Sequence, residues 1–265
     1  MPANESNLGG AAASIRRMKI VAMHTLMEAL RLRLAYLLAA VGLGLVFMAL
    51  GLREFNFGAA ELKFIADFGL GGIGLAGTVL AALATAQLYF DDLASGVAAS
   101  LLARAVRRYE YLCGRLAGVA ALLALFVVAL AVVLGVLIAV RESQLGATLA
   151  PLSVYLQACA LVWLKVTLVA TMTLFVCSYA GSTLFASCAG LMLAVIAHLR
   201  PFTSAAGWLG FLRLWPNLGL FDVGPLLAGG HGLSSFTLLG LLGYWTVFML
   251  LFAGLAAYVF KHREF

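Results

Sequence analysis

The most informative stretch of this chain for chemistry is FDDLASGVAASLLARAVRRYEYLCGR (Phe90–Arg115). Asp91 and Asp92 stand where a helix would leave a membrane. Leu93, Val97, Ser100 and Leu101 then share one helical stripe, and Arg104, Arg107 and Arg108 follow. A short amphipathic helix with a basic end suits docking onto a soluble partner. The alternative is that the arginines anchor the loop beside anionic lipid. Lys165 is the one charge well inside an apolar run of spanning length, where a lysine costs about 2.5–3.5 kcal/mol on insertion scales. Either it faces an aqueous or protein-lined path and meets an anionic group, or it packs between helices against backbone carbonyls.

Other chemistries lack their residues. GxxxxGK[ST] is absent, so the chain does not hydrolyse ATP by that route, and there is no HExxH. Asp92, Gly96 and Arg104 do not form a lipid-phosphotransferase pattern, which needs Asp directly before Gly and further aspartates; here only Glu110 follows. Ser187 and His198 could suggest an intramembrane hydrolase, but no GxSxG surrounds the serine. Cys113, Cys159, Cys177 and Cys188 show neither CxxC nor zinc spacing and read as small packing residues. His24, His198, His231 and His262 are scattered and the methionines form no cluster, so no metal site is expected.

The elements that must position these residues follow from composition. Hydrophobic residues make up 64% of the 265 and charged residues 11%, with mean hydropathy +1.07; a globular domain carries about 25% charged residues. A spanning helix needs roughly 20 apolar residues. The pattern predicts an all-α integral membrane protein with six transmembrane helices, at about 34–52, 69–89, 116–140, 154–177, 182–199 and 236–259. Residues 1–15 read as a disordered tail and 16–265 as a single transmembrane domain. Ile20, Met23, Met27 and Leu30 predict an amphipathic helix over 16–33, lying at the cytoplasmic interface. The segment 53–67 reads as a mixed-charge external loop. Ser182, Ala186, Gly190 and Ala194 recur every four residues and predict a close helix–helix contact. Between 200 and 235, Pro201, Pro216, Pro225 and a glycine cluster surround Trp208, Leu209, Phe211, Leu212 and Trp215. That composition predicts one or two short interfacial or re-entrant helices.

The net charge of +6 is distributed as membrane topology requires and does not indicate nucleic-acid binding. Eleven lysines and arginines lie on the termini and the 90–115 loop, against five on the opposite side. The positive-inside rule puts both termini in the cytoplasm.

The 90–115 segment also resembles a family. ABC-2 type permeases, notably the group associated with multi-copper enzyme maturation, carry an acidic residue at the end of span two. A glycine-led pair, a leucine pair, a basic turn, an acid and a Gly-Lys/Arg helix start follow it. Asp92, Gly96, Leu101 with Leu102, Arg107 with Arg108, Glu110, and Gly114 with Arg115 stand in those positions. LWPNLGLFDV (Leu214–Val223) looks like the family's proline-asparagine segment before the last span, and FKHREF like its ending. Ala105 replaces the expected proline and Val97 the threonine.

The resemblance implies the permease subunit of an ATP-driven exporter in a bacterial inner membrane. It would work as a homodimer with two separate ABC ATPase subunits, which bind the ATP and magnesium; this chain would hold no cofactor of its own. Asp91, Asp92, Gly96, Leu101, Leu102, Arg104, Arg107, Arg108 and Glu110 would couple to the ATPase, and Lys165 would line the substrate path. Low charge along the spans fits a hydrophobic or amphipathic cargo. The rivals are a non-transporting scaffold or force-transmitting subunit, and a transporter driven by an ion gradient, which usually places several ionisable groups near midplane.

Overall fold

The computed structural model describes residues 3–51, 61–97, 107–146, 149, 151–200, 215–224, 226 and 232–261, with side chains from Ala13 to Phe260. Among the described residues the fold is all-helical. It comprises α1 (Ala3–Ala29), α2 (Arg33–Gly51), α3 (Glu61–Ala94), α4 (Arg108–Leu145), α5 (Leu152–Tyr179), α6 (Thr183–Leu199), a 3₁₀ turn (Leu218–Phe221) and α7 (Ser235–Lys261). By length and composition α2, α3, α4, α5 and α7 could each cross a membrane, while apolar α6 is shorter, at 17 residues.

Side-chain contacts fix the direction of each helix. Gly42 of α2 faces Ala76 of α3, and Gly72 of α3 faces Leu45, so these two run antiparallel. Gly69 and Gly77 of α3 meet Leu134 and Phe126 of α4, again antiparallel. On α5, Tyr155 donates to the Ala131 carbonyl and Trp163 to that of Ala120, which makes α4 and α5 antiparallel. Trp245 of α7 donates to Thr167, and Phe252 packs on Phe175, so α7 runs parallel to α5. Helices α3 and α5 are buried over most of their length, whereas α2 and α7 leave most of theirs unburied. Without water to drive apolar surfaces together inside lipid, close van der Waals packing must hold such a bundle. Ala76, Ala81, Ala82, Ala84 and Ala86 on α3 provide it by letting neighbouring helices approach.

Four boundaries differ from the sequence reading. The helix α1 begins at Ala3, inside the expected tail. Alanine is the strongest helix former, and the Ala11–Ala13 run leads into Ser14 and Arg17, which are clasped by a distant acid. The helix α3 begins at Glu61, inside the expected 53–67 loop; an acid in the first turn suits the positive end of the helix dipole, and Arg141 pairs with it. At its other end α3 runs on to Ala94, and α4 starts at Arg108, so both penetrate the expected 90–115 loop. Gly96, with φ of 71°, closes α3 in the left-handed conformation common just past helix ends.

A further difference concerns the placement of α1. It lies alongside α4 and runs in the same direction: Arg17 meets Glu110, Val21 meets Gly114 and Thr25 meets Gly118. The N-terminal helix therefore follows the start of α4. The buried stripe is Val21, Thr25 and Ala29, and the predicted stripe Ile20, Met23, Met27 and Leu30 is exposed on the other side.

Candidate functional site

One end of the bundle gathers the start of α4, the end of α3, the body of α1 and the end of α7. The segment 98–106 attaches there, and its Ser100, Leu101, Leu102 and Arg104 lie outside the described residues. Asp92 sits on the inner face of the last α3 turns, 1% exposed. Its Oδ2 accepts from the Tyr111 hydroxyl at 2.6 Å and from the Arg115 guanidinium. Arg115, 2% exposed, also donates to the Leu88 carbonyl and lies 3.8 Å from Glu28 of α1. Its guanidinium stands 5.9 Å from the centroid of the Tyr111 ring. Burial pushes the Glu28 carboxyl above its usual range, the Asp92 charge adds to that, and Arg115 opposes it.

Tyr111 continues the cluster to α7. Its ring stacks on Phe260 at 6.0 Å, and Phe260 also meets Tyr89 edge-on. Arg108 donates to the Phe260 carbonyl at 3.0 Å, using a cation to satisfy an end-of-helix carbonyl.

Glu110, in the first turn of α4 and before its apolar run, is fully buried. It accepts both Arg17 donors at 2.9 Å and the Ser14 hydroxyl at 2.5 Å. It also caps the backbone N–H of Arg107 at 3.0 Å. A bidentate arginine–carboxylate pair is among the strongest hydrogen-bonded contacts available to side chains. Asp92 and Glu110, two acids expected to meet a partner, thus face inward and join α1, α3 and α4. Asp91 and Arg107 are exposed at the same end.

Two glycines allow the seam between α1 and α4. A Cβ at position 114 would stand 2.9 Å from the Met18 carbonyl oxygen, and one at 118 only 2.7 Å from that of Ala22. Gly114-x-x-x-Gly118 is the spacing that lets helix backbones touch, and it is the sequence signal from which this seam is legible.

A second polar cluster lies mid-bundle. Lys165 donates to Asp222 Oδ1 at 2.7 Å. Asp222 follows the 3₁₀ turn, which Asn217 starts by accepting from the Gly219 N–H at 3.0 Å; asparagine favours such turns because its side chain mimics the backbone. The segment is built into the bundle: Leu218 and Phe221 are buried, Tyr244 of α7 accepts from the Asn217 N–H, and Trp215 meets Phe252 edge-on. Phe252 lies seventeen residues into α7, roughly 25 Å along the helix. The proline-asparagine segment therefore lies along the wall of the bundle. Trp208, Leu209, Phe211 and Leu212 lie outside the described residues.

Lys165, Asp222 and His198 edge a cavity of about 450 Å³ between α3, α5, α6 and this segment. The predicted small-residue face of α6 supports it in part: Ala186, Gly190 and Ala194 turn inward, with Gly190 against Thr173 of α5. Ser182 instead caps α6, accepting from the Phe185 N–H at 3.3 Å.

No family model matches the chain, and no curated protein matches it.

Proposed function

We propose that this chain is the membrane subunit of an ATP-driven, ABC-2 type exporter. In this reading it sits in a bacterial inner membrane with six spans, α6 supplying the shortest, and with both termini in the cytoplasm. Two copies pair with two separate ATPase subunits, which bind ATP and magnesium. The observation that carries the reading is the latched end of the bundle. Residues of the family-like motif bind one another there: Asp92 to Arg115, Glu110 to the N-terminal helix, and Arg108 to the end of α7. A motor acting on the segment between Gly96 and Arg107 would pull on a base already joined to α1, α3, α4 and α7. It would thereby bias the whole bundle between two states. Asp91, Gly96, Arg107 and Arg108 are exposed beside that segment, where a partner would touch them.

Co-purification tests this. Expressed in its native host and extracted in mild detergent, the chain is expected to carry an ATPase with a Walker motif. Asp91→Lys with Arg107→Glu should shed it while the bundle stays folded. An intact complex in that double variant would contradict the docking role, and the absence of any ATPase would contradict the reading as a whole.

One observation favours a second reading, a transporter driven by an ion gradient. Lys165, Asp222 and His198 come together mid-bundle, and such transporters place ionisable groups there. Transport in proteoliposomes powered by a proton gradient without ATP would select it.

A further inference from the structure

The Lys165–Asp222 pair is asymmetric. The Lys165 side chain is 15% exposed, whereas that of Asp222 is 45% exposed. The ammonium is spent on Asp222 Oδ1, and among the described residues none donates a hydrogen bond to Oδ2. The cavity is thus offered the outer oxygen of a carboxylate whose inner oxygen is held by the lysine behind it. Around it the lining is apolar: Leu70 and Leu75 from α3, Val195 and Leu199 from α6. Leu75, Val195 and Leu199 are also exposed, so the cavity is open sideways between α3 and α6. Its volume, about 450 Å³, falls in the roughly 300–1,000 Å³ range of small-molecule sites.

We propose that this cavity binds a cationic amphiphile, its ammonium on Asp222 Oδ2 and its alkyl body along Leu75, Val195 and Leu199. The charge preference is opposite to the one Lys165 suggests by itself. A carboxylate in apolar surroundings attracts a cation far more strongly than it would in water. An anion would have to displace Asp222 to reach the less exposed lysine. The inference rests on the exporter reading by giving its cargo a chemical class, but the site is defined without the motor.

The test is equilibrium dialysis of the full chain, without ATPase, in nonionic detergent micelles, using octylammonium and octyl sulfate as probes. Wild type is expected to bind octylammonium and to leave octyl sulfate at the level of empty micelles. Asp222→Asn should weaken octylammonium binding at least about tenfold, as loss of a close charge partner does. Lys165→Met should bind it equally or more tightly, since the competing cation is gone. Should Asp222→Asn not fold, Val195→Trp decides: it fills the cavity from an exposed position and should abolish binding with Asp222 intact. Preferential binding of octyl sulfate, lost in Lys165→Met, would overturn the proposal. So would octylammonium bound equally by wild type and Val195→Trp. Because no ATPase is present, these outcomes bear on the site alone, and the co-purification result bears on the exporter reading.

Discussion

Arg115 with Asp92 and Lys165 with Asp222 are both ion pairs set among apolar helices, yet only the first is sealed. Both side chains of the Arg115 pair are 2% exposed, against 15% and 45% for the Lys165 pair. The sealed pair is enclosed by further bonds from Tyr111 and to the Leu88 carbonyl; the open pair faces a cavity. A desolvated charge that loses its partner is expensive, whereas an accessible one can turn to water or to a ligand. The first pair is therefore suited to holding helices in fixed relation, and the second to exchanging partners.

The largest effect should come from breaking the sealed pair. Asp92→Ala leaves the buried Arg115 guanidinium with only the more distant Glu28 carboxylate, at 3.8 Å, and should destabilise the bundle by about 3–5 kcal/mol, read as loss of monodisperse protein on heating in detergent. Asp92→Leu with Arg115→Met should recover most of it, since an apolar replacement removes both charges together. Glu110→Gln comes next, weakening charge-assisted bonds worth about 1.5–3 kcal/mol. Its expected signature is local: trypsin should cut at Arg16 or Arg17, where wild type resists. Gly118→Leu should cost about 1–3 kcal/mol by overpacking the α1–α4 seam and should open the same tryptic site with Glu110 intact. Lys165→Met, at the open pair, should change stability by less than about 1 kcal/mol. If it destabilises as much as Asp92→Ala, the two pairs are not different in kind.

The sequence makes the same regions legible to different degrees. Helices α2, α5, α6 and α7 are readable within a residue or two, because long uncharged runs bounded by polar residues have few other solutions. The inward direction of Asp92 and Glu110 is not readable. A motif puts an acid near a helix end, but the face it takes depends on Arg115 and on Arg17, the latter 93 residues away. The helicity of residues 3–15 is hidden for a related reason: Ser14 and Arg17 have a distant partner in Glu110, and a polar Gly/Ala-rich segment shows no apolar face of its own. Lys165 stands out in any hydropathy scan, but Asp222, its partner, lies 57 residues downstream in a segment dominated by proline, glycine and aromatics. Nothing in a single sequence joins those two residues.

The exporter reading depends above all on which side of the membrane the latched end occupies. Ser95, exposed just past α3, and Ser143, exposed at the far end of α4, are opposite markers for it. With the native cysteines replaced, Ser95→Cys and Ser143→Cys can each be probed in intact inner-membrane spheroplasts with a membrane-impermeant maleimide. The expected result is labelling at position 143 only, with position 95 reacting after the membrane is permeabilised. Labelling of position 95 in intact spheroplasts would put the latched end outside, beyond reach of any cytoplasmic ATPase.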